Sequence, residues 1–211
     1  MEILCISLNM SPIVSFLERA GVKHGPLGFV PTAGNSYPDP VFVREDRARL
    51  AHLGIPIVDI DFDAISREEA IQQLDAVSAL YVAGGNTFHL LQAVVRLSLK
   101  EKLAEAVRGG LPYVGASAGA VLLAEDVGYV AGIDDASVAP SLSNYRGLEL
   151  VEFKILPHFG KPKYMNKYFA ILEADPSSHY VLLPDDRAIE TSNGVEYVVI
   201  RAEPLQTTDG P

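Results

Sequence analysis

Along the first two thirds of the chain, short continuous apolar runs alternate with segments whose apolar positions recur every three or four residues. The runs at 3–8, 27–30, 56–60, 79–83 and 112–114 predict strands. Because they are apolar throughout and do not alternate with polar residues, they predict strands covered on both faces, as in a parallel sheet. Between them, Ile13, Phe16, Leu17 and Ala20 share one helical face that Gly21 closes, and a second helix is expected over 40–53, ended by Gly54. Ser66 and Glu69 form a capping box for a third helix that turns Ala70, Ile71 and Leu74 inward. Asn86 is placed to cap a fourth from Thr87, and Ser98 with Glu101 reads as another capping box for a fifth, running to Arg108. The expected fold class is α/β: a doubly wound, mostly parallel sheet with helices on both faces.

From Glu125 the pattern becomes irregular until 150–156 resumes as a strand. A helix is expected near 164–174, then strands at 180–183, 188–191 and 195–200, with Asn193-Gly194 as a type I′ hairpin turn between the last two. The whole chain, 1–211, reads as one domain with a frayed tail at 204–211, and no internal repeat interrupts it.

Composition narrows the classes. With 17 basic and 27 acidic residues the formal charge is -10, which argues against nucleic acid and anionic membrane as partners. The lone Cys5 sits in an apolar run and reads as a core residue, suited to a reducing cytoplasm. Glu2 stands where a signal peptide would be basic, and no stretch approaches the roughly 20 apolar residues of a membrane span. A cytoplasmic protein is expected, with no metal or organic cofactor, and with apolar edges that leave room for a homodimer.

The candidate chemistry centres on Gly115-Ala116-Ser117-Ala118-Gly119, a G-x-S-x-G pattern between a strand and a helix. Small residues on both sides let the chain bend sharply and leave the Ser117 hydroxyl at the apex, beside backbone N–H groups at the helix start. One strand earlier, Gly84-Gly85-Asn86 forms a second glycine turn at the carboxyl end of a strand, the edge where parallel sheets bind ligands. An oxyanion hole from the N–H groups of Gly85 and Ala118 follows, with Asn86, Lys161 and Lys163 as substrate contacts. Serine needs a base, and among five histidines His158 directly follows a strand at the correct edge. His89, in the first helical turn after Gly84-Gly85, is the rival; His24, His52 and His179 fall in exposed positions or at the opposite edge. For the acid that orients the base, Asp135 is favoured, with Asp134 beside it and Asp185 and Asp186 later in the chain as alternatives.

These motifs, with Leu90-Leu91 after the Gly-Gly turn and Leu156-Pro157-His158-Phe159, resemble in order and spacing the dipeptidase E (alpha-aspartyl dipeptidase) and cyanophycinase family of serine peptidases. The resemblance implies a fold like that of class I glutamine amidotransferases. It also implies Ser117 as nucleophile, His158 as base, Gly85 as oxyanion donor and an acid between serine and histidine, near Asp134-Asp135. Family members that prefer an N-terminal aspartate carry an arginine after the histidine, and here 160–168 offers Lys161, Lys163 and Lys167 instead. A lysine supplies charge without the bidentate fork. The expected activity is hydrolysis of short peptides, dipeptides with an acidic or polar first residue among them, through an acyl-enzyme. A cyanophycinase-like isopeptide hydrolase and a non-catalytic small-molecule binding domain are the alternatives.

Overall fold

The structure is a computed structural model and describes residues 1–22 and 25–203. His24 and the tail expected to fray at 204–211 lie outside the described residues. In chain order the strands and α-helices are β1 (Ile3–Ile6), α1 (Pro12–Arg19), β2 (Leu27–Val30), α2 (Val41–His52), β3 (Ile57–Asp59), α3 (Arg67–Ala76), β4 (Ala79–Val82), α4 (Thr87–Arg96), α5 (Lys100–Arg108), β5 (Tyr113–Ala116), α6 (Ala118–Val121), β6 (Lys154–Pro157), α7 (Pro162–Ala174), β7 (Tyr180–Leu183), β8 (Arg187–Thr191) and β9 (Val198–Arg201). The main sheet has the order β3-β2-β4-β5-β1-β8-β9. Its first five strands are parallel, and β8 and β9 extend it antiparallel. A separate parallel pair, β6 and β7, lies beside it.

The unbroken apolar runs have a simple cause. In β1, Ile3 and Cys5 join the core on one face of the sheet while Leu4 and Ile6 join the core on the other. Helices α1 and α2 cover the second face with Ile13, Phe16, Val43 and Leu50. Helices α3, α4 and α5 cover the first with Leu74, Leu91, Val94 and Val107. Each residue of β1, β2, β4 and β5 is therefore buried whichever way it points, and alternation has nothing to select, whereas the edge strand β3 is only half-buried and exposes Asp59. Cys5 is wholly buried, and burial pushes its thiol pKa up.

The capping box at Ser66 and Glu69 forms, with both reciprocal hydrogen bonds present. The one expected at Ser98 and Glu101 does not: Leu99 is the N-cap of α5 without a side-chain bond, and Ser98 has φ 51°. Its N–H instead donates to Val95 O, closing the end of α4, so the two helices share one tight corner. Asn193-Gly194 is not a two-residue hairpin. Asn193 Oδ1 accepts from the N–H groups of Val195 and Glu196, which holds a wider loop before β9 begins at Val198.

Candidate active site

The serine bend is built where β5 runs into α6. Ser117 has φ 47° and ψ -104°, outside the regions that side-chain-bearing residues favour. It is held there from two sides. Its N–H donates to Ile6 O at 2.9 Å, and the buried Tyr113 hydroxyl donates to Gly119 O at 2.7 Å. Gly119 is obligatory because a Cβ there would lie 2.2 Å from Val82 O. The Gly84-Gly85 turn packs directly on this bend, so close that a Cβ on Gly84 would stand 3.3 Å from the Ser117 Cβ. Gly85, at φ 146°, leaves no room for a side chain, which would meet Ala33 O at 2.1 Å.

β6 delivers His158, whose φ of 60° turns its ring back over the sheet edge. Its backbone N–H donates to Ser7 Oγ at 2.9 Å, and Ser7 Oγ donates to Leu183 O at 2.7 Å. One buried hydroxyl thus ties the ends of β1, β6 and β7 together. The pattern at 3–8 absorbed Ser7 into a strand; a polar residue inside an apolar run was the available signal. The imidazole Nε2 lies 3.0 Å from Ser117 Oγ, Nδ1 lies 2.6 Å from Asp185 Oδ1, and the ring stacks on Tyr164 at 5.9 Å. Burial pulls the imidazole pKa below its usual value. Asp185 pulls it upward, and Lys161 and Lys163 add to the lowering. Burial pushes the Asp185 carboxyl up, but hydrogen bonds from Lys161 and His158 outweigh it and hold the group below the usual carboxylate range.

The acid favoured from the sequence does not reach the imidazole. Asp135 is exposed and its Oδ1 caps the N–H of Ser137, while its backbone O accepts from Asn86 Nδ2. Asp134 is nearer, but its Oδ2 accepts from the Thr87 N–H at 2.8 Å. Burial raises its pKa, opposed by that hydrogen bond. Asp185, one of the alternatives, occupies the position. The irregular segment after Glu125 carried no periodic pattern to show which way its carboxylates would point, and the structure bonds them to the N–H groups of Thr87 and Ser137 and not to the imidazole.

Of the expected substrate contacts, Asn86 is engaged elsewhere, and Lys161, which lines the cavity with Ser117 and His158, is paired with Asp185. Asn86 is buried, with Oδ1 accepting from Phe88 and His89 and Nδ2 bound to Asp135 O, so it caps α4 and ties the loop over it. Lys161 Nζ lies 2.6 Å from Asp185 Oδ2. Lys163 lines the cavity with its ammonium 4.5 Å from the Tyr164 ring centre. The rival base His89 pairs with Asp63 at 2.7 Å. His52 ends α2, and His179 lies just before β7.

Ser117 and His158 open into a cavity of about 310 Å³ whose wall includes Tyr37, Phe42, Gly85, Ala118, Asp134 and Lys163. That volume is at the small end of ligand sites, enough for a short peptide fragment. A mostly parallel α/β fold, with a hydroxyl after β5 of the main sheet in line with an imidazole and a carboxylate that follow β6 and β7 of the separate pair, defines a class: serine-type hydrolases of α/β fold. The model of peptidase family S51 matches residues 11–197, and the chain belongs to that family; it is a serine-type peptidase.

Relatives agree. An uncharacterized peptidase of Listeria innocua is 32% identical over 171 residues, 77% of this chain and 82% of that protein. Peptidase E of Streptomyces coelicolor is 37% identical over 153 residues, 72% of this chain and 57% of that protein. A crystal structure of a provisionally named peptidase E protein from Listeria monocytogenes superposes with a TM-score of 0.86 at 26% identity, covering 96% of this chain and 98% of that one.

Proposed function

We propose that the protein hydrolyses short peptides, dipeptides with an acidic or polar first residue among them, through an acyl-enzyme on Ser117. The observation that carries this is the continuous line from Ser117 Oγ to His158 Nε2 at 3.0 Å and from His158 Nδ1 to Asp185 Oδ1 at 2.6 Å. His158 Nε2 takes the hydroxyl proton as Oγ attacks the scissile carbonyl carbon, and Asp185 accepts the hydrogen bond of Nδ1–H and stabilises the imidazolium. The carbonyl oxygen, now an oxyanion, is held by the N–H groups of Gly85 and Ala118, both of which line the cavity beside Ser117. His158 gives its proton to the leaving amine. Water then adds to the acyl carbon with His158 again as base, releasing the acid and restoring the hydroxyl. Burial favours this cycle because it keeps the resting imidazole neutral. Lys163 supplies positive charge in the cavity wall for an acidic side chain.

The test is labelling with a fluorophosphonate followed by turnover on a panel of Asp-Xaa, Glu-Xaa, neutral and β-aspartyl dipeptides. Labelling on Ser117 that disappears in Ser117→Ala, with turnover of acidic dipeptides, is the expected result. A protein that neither labels nor turns over any peptide of the panel is not acting by this route.

A further inference from the structure

Asp185 is gripped from two sides. His158 Nδ1 lies 2.6 Å from Oδ1, and Lys161 Nζ lies 2.6 Å from Oδ2. The lysine reaches back because the chain reverses after His158: φ is 60° at His158 and 94° at Gly160, and the Lys161 N–H donates to His158 O at 3.1 Å. Asp185 itself stands on a tight turn after β7, closed by Arg187 N–H to Pro184 O at 3.2 Å, and belongs to no helix or strand. A carboxylate on such a turn can rotate about its terminal bond, and a single hydrogen bond to an imidazole that is itself on a loop leaves both side chains free to move together.

We infer that Lys161 is a positioning residue, a clamp that fixes the Asp185 carboxylate and through it aims His158 Nε2 at Ser117, and that it is not the cation that receives a substrate's carboxylate. This rests on the acyl-transfer reading of the site. The groups facing His158 are Asp185 from the turn after β7, Asp134 from the loop before β6, and Lys161, Lys163 and Tyr164 from the start of α7. Ser7 and Ser117 add hydroxyls. The two carboxylates favour the imidazolium and the two ammonium groups oppose it. Lys161 therefore acts twice. It holds the acid in place, and its charge offsets part of the pull that the acid exerts on the imidazole proton. Losing it would leave Asp185 looser and its pull on the imidazole opposed by burial and Lys163 alone.

The experiment compares Lys161→Met and Lys161→Arg with the unsubstituted protein. The rate of fluorophosphonate labelling of Ser117 is followed across acid and neutral pH, and kcat and KM are measured separately on acidic and neutral dipeptides. In Lys161→Met the labelling plateau falls roughly tenfold, the misplacement cost of a loosened base. Its acid midpoint moves up by about half a unit or more as the opposing charge is lost. kcat drops alike for acidic and neutral peptides with KM little changed, and Lys161→Arg, which still pairs with a carboxylate, restores most of the rate. Labelling in Lys161→Met with the unsubstituted rate and midpoint overturns the inference, as does a defect confined to KM for acidic peptides. Should Ser117 of the unsubstituted protein fail to label at all, the acyl-transfer reading falls first and the clamp with it.

Discussion

Asp185 and His158 are 27 positions apart in the chain, yet Asp185 Oδ1 and His158 Nδ1 are 2.6 Å apart at the carboxyl edge of the β6 and β7 strands. The parallel pairing of Pro157 with Leu183 brings this about, because His158 and Asp185 leave the ends of two adjacent strands. Replacing Asp185 by Asn keeps the shape but lets the amide favour the wrong imidazole tautomer. We expect kcat to fall roughly 10³- to 10⁴-fold in steady-state assays. Asp135→Asn, by contrast, alters a carboxylate whose bond is to the Ser137 N–H, and turnover within about threefold of the unsubstituted protein is expected on the scale of an exposed change. Equal defects in the two variants would remove Asp185 from its place.

The pH profile follows from the buried imidazole. The base works only when neutral, and burial moves its pKa below the ordinary value of about 6.5. Labelling of Ser117 should hold its plateau as pH falls through that ordinary value and decline only below it. A midpoint above it would mean that Asp185 outweighs burial and the lysines.

Gly85→Ala tests the turn beside the serine. The new Cβ would overlap Ala33 O at 2.1 Å, and φ 146° is closed to alanine, so the turn has to move. A loss of about 2 kcal/mol in stability, read from urea unfolding, is expected from strain and overlap of this kind. Labelling of the folded fraction should slow by about 10²-fold if the Gly85 N–H is an oxyanion donor.

Asp46 provides a stability prediction: it lines the cavity but stands outside the line of Ser117, His158 and Asp185. Its Oδ2 accepts from the buried Tyr81 hydroxyl at 2.7 Å, and burial pushes its carboxyl up to about 6, against the pull of Tyr81 and Arg49. A raised carboxyl pKa means the folded state holds the proton more tightly than the unfolded one, so the cost of ionisation is fully present above pH 6 and fades as pH falls toward the unfolded value near 3.8. Asp46→Asn keeps an acceptor for Tyr81 without the charge. It should stabilise the protein by about 1–2 kcal/mol at neutral pH, with the gain vanishing in acid. A gain that does not depend on pH would point to packing instead.

Local pattern alone was enough for much of the scaffold. The runs at 27–30 and 79–83 became β2 and β4 because burial on both faces leaves a continuous apolar signature, and the Ser66-Glu69 box formed because all its partners lie within one turn. Ser98-Glu101 matched the same box and failed, since the corner between α4 and α5 had already claimed the Ser98 N–H. Ser117 and His158 were legible for a similar reason. A serine between glycines and a histidine directly after a strand each announce which edge of the sheet they occupy.

What the amino-acid sequence determined by itself, then, was everything governed by neighbours in the chain: the strands, most of the helix starts, the bend that raises Ser117 and the side of the sheet on which His158 emerges. Tertiary structure alone decided which carboxylate meets the imidazole, the tie from Asn86 Nδ2 to Asp135 O and the pairing of Lys161 with Asp185. Those choices depend on the direction of side chains leaving irregular turns, which no periodicity records, and on the register of β6 against β7, which sets Pro157 opposite Leu183 and so brings the residues beyond them into reach. A hydrogen bond requires placement to within a few tenths of an ångström, and for residues far apart in the chain only the packed fold supplies it.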